Sequence, residues 1–373
     1  MLGAGGFVGA RLVEMAALSG RTDVFPVVRA FRSVARSAHL GVPYRLGDPA
    51  RTDSLTEALV GCDTLVNLTT GDPTEMLSTT KSIYAAAVGA GVRLLVHISS
   101  ALVYAGIERP DLPDDAPPRL DHWMPYARAK AQSEIFLRER MGDGRLAIVV
   151  LRPSLVWGPG SPWVLAPAHE LVSGSAYLVG GGAGVCGLLY VDNLVRCIDM
   201  VVAHRAVRSD CYNLADLETT TWREYYGALA EGLGVDPSGI HEIPGDRYRA
   251  GSHDWIEAIQ GLRPYQQIKD RFSLETRAGL KLRLRRALGR GVAPSPDAPV
   301  RPLVKRLQWE MQTTPCRLPT EKFGSVFGDI DWTTFDEGLA SSLAWLRFLG
   351  VDQRELLAPP LPTGLGPSAF AAG

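Results

Sequence analysis

Residues 3–9 read Gly-Ala-Gly-Gly-Phe-Val-Gly, a glycine-rich turn that opens an apolar helical pattern. Glycine at every third position permits a tight turn, close approach of the backbone to a ligand, and close packing of a helix on a strand. Backbone N–H groups and the dipole of the following helix favour an anion at this turn. The stretch therefore predicts a pyrophosphate site for a dinucleotide, in a Rossmann-type fold.

Farther along the chain, strand-like apolar runs alternate with helical patterns, which indicates βαβ units and a parallel sheet. We predict an α/β protein with a doubly wound, Rossmann-type parallel sheet and a smaller mixed α/β substrate lobe. The expected division is a dinucleotide-binding domain over 1–152 with a return strand near 211–214, a mainly substrate-binding lobe over 153–357, and a flexible tail over 358–373. The individual predictions are strands at Val24–Phe31, Cys62–Leu68, Leu94–Ser99 and Leu146–Leu151, a helix at Asp53–Val60 capped by Asp53 or Ser54, and capped helices that begin at Thr221 and Thr334.

Tyr126 and Lys130 provide the chemistry that such a site needs. They lie at i and i+4 of a predicted helix that starts at Pro125, so both side chains share one helix face. The positive charge of Lys130 favours the phenolate, and we expect the pKa of Tyr126 to lie below its usual value of about 10. A tyrosine of this kind beside a dinucleotide site indicates a nicotinamide-dependent oxidoreductase.

The glycine turn, Ser99–Tyr104 and Tyr126–Lys130 stand in an order that resembles the extended short-chain dehydrogenase/reductase superfamily, which includes sugar-nucleotide epimerases and hydroxysteroid-dehydrogenase-like enzymes. The resemblance implies that Tyr126 is the general acid/base, that Lys130 lowers its pKa and hydrogen-bonds the nicotinamide ribose, and that Ser100 orients the substrate oxygen. It also implies that Asp48 binds the adenine amino group. The expected cofactor-binding residues are Gly3, Gly6, Phe7, Val8, Gly9, Arg32, Asp48, Leu68, Lys130 and Pro153.

The residues after the second strand decide between the two nicotinamide cofactors. An acidic side chain there would bind the ribose 2′-hydroxyl of NAD and repel the 2′-phosphate of NADP. This chain has no acid in that segment and instead has Arg29, Arg32 and Arg36. Because guanidinium groups bind phosphate through paired hydrogen bonds, we predict NADP, with NAD as the alternative.

The residues after Ser100 limit which reactions the site could catalyse. In the family that the chain resembles, sugar-nucleotide dehydratases carry an Asp-Glu pair there, whereas this chain has Ala101-Leu102, so dehydration is disfavoured. Three classes stay open. They are a sugar-nucleotide epimerase or reductase, a ketone reductase or alcohol dehydrogenase for a lipid-like or secondary-metabolite substrate, and a nicotinamide sensor without catalysis. The presence of Ser100, Tyr126 and Lys130 together argues against the sensor.

Only Met1 and Leu2 precede the glycine turn, although the family that the chain resembles has a full central strand there. A missing central strand would leave N–H and C=O groups of its neighbours unpaired. The sequence therefore predicts either a physiological start several residues upstream, with a short aliphatic segment, or a gap in the sheet, and we favour the upstream start.

Composition limits the partners and the compartment. The 373 residues contain 39 Lys plus Arg against 40 Asp plus Glu, a balance that gives no reason to expect nucleic acid. The five cysteines have no C-x-x-C spacing, which favours free thiols in a reducing compartment and no metal. No apolar run reaches the ~20 residues of a membrane span, and we expect a cytoplasmic protein.

The expected partner is a small-molecule substrate. An anionic substrate, a homodimer and the role of the basic segment 263–306 stay open.

Overall fold

Residues 1–104, 112–248 and 302–351 are described by a computed structural model, with the backbone alone for 34–37. The strands are β1 (Val27–Val28), β2 (Arg45–Leu46), β3 (Thr64–Asn67), β4 (Leu94–Ile98), β5 (Ala147–Pro153), β6 (Leu155–Trp157), β7 (Tyr177–Val179), β8 (Val185–Cys186), β9 (Leu188–Tyr190), β10 (Asp210–Leu214), β11 (Thr220–Thr221) and β12 (His241–Ile243). The α-helices are α1 (Phe7–Leu18), α2 (Thr52–Ala58), α3 (Met76–Gly89), α4 (Pro125–Arg138), α5 (Pro162–Val172), α6 (Val191–Ala203), α7 (Trp222–Gly232), α8 (Arg306–Thr313), α9 (Glu321–Phe327) and α10 (Phe335–Phe348).

The main sheet is parallel, with the order β10-β5-β4-β3 and then, through Leu2, β1 and β2. Successive side chains of a strand point to opposite faces of a sheet. Val96 and Val149 accordingly pack on one face with α1 and α6, whereas Leu95 and Ile148 pack on the other with α2, α3 and α4. The prediction of a doubly wound, Rossmann-type parallel sheet is therefore confirmed.

The smaller lobe has its own apolar core, which α5, α7 and α10 form around Trp157 and Tyr225. Its short strands pair as β6 with β9 and β7 with β12, both parallel, and β8 with β11, antiparallel. The predicted helix caps at Thr221 and Thr334 are confirmed as complete capping boxes. The lobe is mixed α/β, as expected.

Elements from beyond residue 152 return to the main sheet. β10 pairs with β5, as the expected return strand, and α6 packs on α1 and β4. Helix α9 also contacts β10. The second half of the chain therefore contributes helices α6 and α9 to the main sheet's packing, in addition to the return strand β10. The domain boundaries at 152 and 357 stay a prediction.

The length of one strand and the cap of one helix differ from the predictions. The strand expected over Val24–Phe31 is limited to β1, because Pro26 has no N–H to donate and the backbone enters a 3₁₀ helix over Phe31–Leu40. The helix expected over Asp53–Val60 is α2, whose N-cap residue Arg51 makes no side-chain cap. Ser54 instead accepts a hydrogen bond from the N–H of Asp48 at 3.2 Å.

Met1 and Leu2 lie between β1 and β3 and join the two parts of the sheet. The N–H of Leu2 donates to the Val66 carbonyl at 2.8 Å, and the N–H of Val27 donates to the Met1 carbonyl at 2.8 Å. The Met1 amino group donates to the carbonyl of Phe25 at 2.8 Å, and burial lowers the pKa of this amine to about 6. Leu2 thus bridges the position of the gap, one of the two alternatives predicted from the sequence, and the upstream start stays a prediction.

The described helices include none that is long and apolar enough to cross a membrane, and the same residues contain no group of three or more His, Cys, Asp or Glu arranged to hold a metal ion. The five cysteines form no disulfide bond within the described residues, and Cys62 is the one among them that is not buried. Most of the basic segment 263–306 and all of 358–373 lie outside the described residues. The cytoplasmic location and the homodimer stay predictions.

Candidate active site

Contacts that only glycine permits shape the turn at residues 3–6. Gly3 has a φ of +84°, in the left-handed region, and a Cβ there would lie 2.8 Å from the carbonyl group of Leu68. A Cβ on Gly9 would lie 2.0 Å from the carbonyl oxygen of Gly3. The first turn of α1 therefore packs directly on the loop, as a dinucleotide-binding turn requires.

The N-terminus of α1 is open to an anion. Gly6 is its N-cap residue, no side chain caps the helix, and its first turn has no acidic residue. Within the described part of the chain, the N–H groups of Phe7, Val8 and Gly9 have no acceptor. These free donors, together with the close glycine packing, fit the pyrophosphate of a dinucleotide.

Ser100 and Tyr126 meet at the carboxyl end of the sheet. Ser100 lies two residues after the end of β4, whereas Tyr126 lies in the first turn of α4, after Pro125. Burial raises the pKa of Tyr126 to about 12, although the nearby Ser100 hydroxyl acts to lower it. The expected lowering of the Tyr126 pKa is therefore wrong for this structure, because the free-energy cost of removing a phenolate from water exceeds the stabilisation that Ser100 provides.

Lys130 lies one helical turn after Tyr126 and is buried. Its Nζ donates to the carbonyl of Ile98 at 2.8 Å, and it lies 3.5 Å from the carbonyl of Thr69 and 6.0 Å from the centre of the Tyr126 ring. Burial lowers the pKa of Lys130 to about 8, against the negative charge of Glu134, which raises it. The lysine is therefore protonated at neutral pH and held between two backbone carbonyls.

A neutral histidine lies close to this lysine. His97 on β4 is buried, and its Nδ1 lies 3.0 Å from the amide nitrogen of Asn67. Since the amide oxygen of Asn67 accepts from Thr69, the amide nitrogen donates to Nδ1 and the His97 proton is assigned to Nε2. Burial, and then the charge of Lys130, lower the pKa of His97 to about 3. His97 is thus neutral and supplies no charge to the site.

Sequence reasoning missed a buried ion pair beside these residues. Glu134 on α4 and Arg152 on β5 are both 0% exposed, and Nε of Arg152 donates to the two carboxylate oxygens at 3.0 and 3.1 Å. Ser99 Oγ donates to the same carboxylate at 2.8 Å. The signal was the four-residue spacing from Tyr126 through Lys130 to Glu134, which places all three on one face of a helix.

Arg152 extends this network to neighbouring elements. Its Nη1 donates to the Tyr104 hydroxyl and, at 2.7 Å, to the carbonyl of Asp114. Tyr104 in turn donates to the Asn213 side chain, whose amide nitrogen donates to the carbonyl of Leu112 at 3.1 Å. The ion pair thereby fixes β10 and the segment 112–116 around the ends of β4 and β5.

The residues expected to contact adenine and the ribose follow β1 and β2, at the carboxyl edge of the sheet. Asp48 accepts from the N–H of Ala50 at 3.1 Å, so one of its carboxylate oxygens closes a turn. A Cβ on Gly5 would lie 3.0 Å from the carbonyl oxygen of Ser33, which places the segment after β1 beside the glycine turn. Arg29 and Arg32 on that segment are exposed and make no ion pair or side-chain hydrogen bond with described residues. The side chain of Arg36 lies outside the described part.

Pro153 ends β5 next to this edge, and the N–H of the following Ser154 donates to the carbonyl of Leu214 at 2.8 Å. The hydroxyl of Ser154 is buried and has no partner within the described ranges. The structure thus brings Ser100, Tyr126 and Lys130 together. The roles of these residues and of the cofactor-binding set stay predictions.

The fold and this cluster define a Rossmann-fold enzyme of the extended short-chain dehydrogenase/reductase type. A model of the NAD dependent epimerase/dehydratase family matches residues 1–215, more than half of the chain. The protein therefore belongs to the NAD dependent epimerase/dehydratase family, and the family expected from the sequence is confirmed.

Two curated relatives resemble most of the chain. One is a 4-hydroxy-2-methyl-3-oxo-4-farnesyl-3,4-dihydroquinoline-1-oxide ketoreductase from Stigmatella aurantiaca, 26% identical over 267 residues that cover 67% of this chain and 77% of that protein. The other is an N-acetyl-alpha-D-glucosaminyl-diphospho-ditrans,octacis-undecaprenol 4-epimerase from Escherichia coli O157:H7, 25% identical over 256 residues that cover 65% of this chain and 74% of that protein. The family thus contains both reductases and epimerases.

Solved structures confirm the fold. A dTDP-glucose 4,6-dehydratase from Streptomyces venezuelae with bound NAD is similar with a TM-score of 0.64, at 20% identity over 93% of this chain and 95% of that one. A UDP-glucuronic acid 4-epimerase from Bacillus cereus with NAD gives a TM-score of 0.65, at 14% identity over 93% of this chain and 98% of that one. At these identities the likeness concerns the Rossmann fold.

Proposed function

We propose that the protein reduces a ketone to a secondary alcohol, with NADPH as the cofactor and Tyr126 as the proton donor. The observation that supports this most directly is the cluster of Ser100, Tyr126 and Lys130 beside a glycine turn whose N–H groups are free. When bound, the nicotinamide supplies the hydride. The residues of the chain orient the substrate oxygen and deliver the proton to it.

The protonation state of Tyr126 suits a proton donor. With a pKa of about 12, Tyr126 holds its proton at neutral pH and is ready to act as a general acid. Ser100, whose hydroxyl lies near Tyr126, can donate to the same carbonyl oxygen. As the proton leaves, the positive charge of Lys130 stabilises the phenolate. The absence of an acid–base pair at Ala101-Leu102 supports a reaction without loss of water.

The segment after β1 supports NADPH over NADH. Arg29 and Arg32 are exposed and unpaired within the described residues, and the segment that carries them lies against the glycine turn. A guanidinium group in that position can bind the ribose 2′-phosphate through paired hydrogen bonds. The solved neighbours with NAD share only the fold with this chain, so they do not argue against this preference.

We further propose that the substrate carries a long apolar chain. The two curated relatives, one a ketoreductase and the other an epimerase, are both named for a polyprenyl-bearing compound, with a farnesyl group in one and undecaprenol in the other. A ketone that bears a prenyl chain is therefore the first substrate class to test. This choice agrees with the lipid-like alternative derived from the sequence.

The test is the variant Tyr126→Phe, assayed by NADPH oxidation with prenyl-bearing ketones. Because it removes the proton donor and keeps the ring, we expect kcat to fall by about 10²–10⁴-fold. NADPH affinity, measured by calorimetry, should stay unchanged. The matched control is Tyr44→Phe, which changes an exposed tyrosine. A wild-type rate for Tyr126→Phe would contradict the proposal.

The second candidate is epimerisation of a diphosphate-linked sugar, which the relative from Escherichia coli O157:H7 supports. The two reactions differ in their use of the cofactor. A reductase consumes one NADPH for each product, whereas an epimerase returns the hydride and keeps its cofactor. Native mass spectrometry of the purified protein, followed by a count of cofactor consumed per product formed, separates them.

A further inference from the structure

We infer that Glu134 is a positioning residue, which fixes the strand end bearing Ser100 against the helix bearing Tyr126 and Lys130 and supports the positive charge of Lys130. This inference rests on the proposed function of those three residues. Glu134 itself does not reach the reacting atoms and acts through its neighbours.

The first argument is geometric. Ser99, the neighbour of Ser100, donates from its hydroxyl to Glu134 at 2.8 Å and from its N–H to the carbonyl of Leu151 at 2.8 Å. Glu134 lies on the same helix as Tyr126, two turns further along. One buried carboxylate therefore connects the end of β4, next to Ser100, with helix α4, which bears Tyr126. In the proposed function Ser100 orients the substrate and Tyr126 donates the proton. A shift between them would separate two groups that must contact one oxygen atom.

The second argument is that Glu134 has little freedom to move. Arg152 binds both of its carboxylate oxygens from β5, and neither residue has exposed surface. Arg152 is fixed in turn by Tyr104 and by the carbonyl of Asp114. A buried carboxylate with three satisfied donors has a single orientation, because each alternative leaves a charge unpaired.

The third argument is electrostatic. The groups that face Lys130 are Tyr126 and Glu134 on its own helix and His97 on β4, with Arg152 on β5 just beyond Glu134. Tyr126 and His97 are neutral and Arg152 is positive, so Glu134 is the negative group among these described neighbours. Removing its charge would leave Lys130 near an uncompensated Arg152, and the lysine would lose its proton more readily.

The experiment compares Glu134→Gln with the wild-type enzyme for kcat, ketone KM, NADPH affinity and the pH profile. We expect kcat to fall by about 10- to 100-fold, as for a misplaced reacting group. We also expect the alkaline limb of the profile to move down by about one pH unit, since a neighbouring charge has been removed. NADPH affinity should hold. The control is Glu170→Gln on α5. It removes a carboxylate that accepts a hydrogen bond from the Tyr226 hydroxyl at 2.7 Å, and the alkaline limb of its pH profile should match that of the wild type.

Two further variants separate position from charge. Glu134→Asp keeps the charge and shortens the reach, so its alkaline limb should stay near that of the wild type while kcat falls. Ser99→Ala removes the hydrogen bond from the Ser99 hydroxyl to Glu134 without changing any charge. It should lower kcat without moving the alkaline limb of the pH profile. If Glu134→Gln fails to fold, these two variants carry the test. Wild-type kcat in both would overturn the inference.

The outcome is distinguishable from a failure of the proposed function. If Tyr126→Phe keeps the wild-type rate, the proposed function is wrong. If Tyr126→Phe is inactive but Glu134→Gln has a wild-type kcat and an unmoved alkaline limb, only the positioning role of Glu134 is wrong.

Discussion

Replacing Gly9 with alanine tests whether the glycine turn holds the cofactor. The new Cβ would lie 2.0 Å from the carbonyl oxygen of Gly3. An ordinary non-bonded contact is about 3.5 Å, so the helix and the loop must separate by about 1.5 Å. Overpacking of this kind costs about 1–3 kcal/mol of unfolding free energy. Gly9 does not have a positive φ, so the effect is one of space and not of backbone strain.

The same shift should weaken cofactor binding, because the free N–H groups of residues 7–9 lie on the helix that moves. Losing one hydrogen bond to a charged group costs about 1.5–3 kcal/mol, which corresponds to about 10- to 150-fold in Kd for NADPH. Thermal unfolding and calorimetry measure the two effects. The control is Gly227→Ala in α7, where a Cβ meets open space and alanine should stabilise the helix by about 0.5–1 kcal/mol. Wild-type NADPH affinity in Gly9→Ala would refute the assignment of this turn.

Two further predictions concern the cofactor and pH. Arg32→Glu should weaken NADPH binding by about 10-fold or more and invert the preference over NADH, because it removes a phosphate partner and adds repulsion. The same change at the exposed Arg93, before β4, should leave both affinities unaltered, and calorimetry giving equal values for both cofactors in the wild type would contradict the prediction. Since Lys130 has a pKa of about 8 and is charged below that value, the rate of ketone reduction should fall as pH rises through about 8. A rate that holds constant to pH ~10, the usual lysine value, would show that this charge is not needed.

The sequence predicted those features that local geometry dictates. The glycine spacing and the four-residue interval between Tyr126 and Lys130 each specify a turn or a helix face from a few adjacent residues, and the structure has both. The short β1 was mispredicted because Val24–Phe31 has strand-like composition, whereas Pro26 and the 3₁₀ helix that begins at Phe31 end the pairing. Composition reports preference, and the neighbouring segments decide how far a strand extends.

The pKa of Tyr126 shows most clearly why the remaining features needed the structure. From the sequence, Lys130 is a nearby charge that favours the phenolate, but the cost of burial depends on how the folded chain surrounds the hydroxyl. Burial raises the pKa of Tyr126 and lowers that of Lys130, so each alone is pushed toward its neutral form. Glu134 opposes this for the lysine, and its own burial is tolerated because Arg152, eighteen residues farther along, closes the ion pair. A charged lysine beside a protonated tyrosine is therefore a property of the assembled network, in which the buried Glu134 favours the charged form of Lys130.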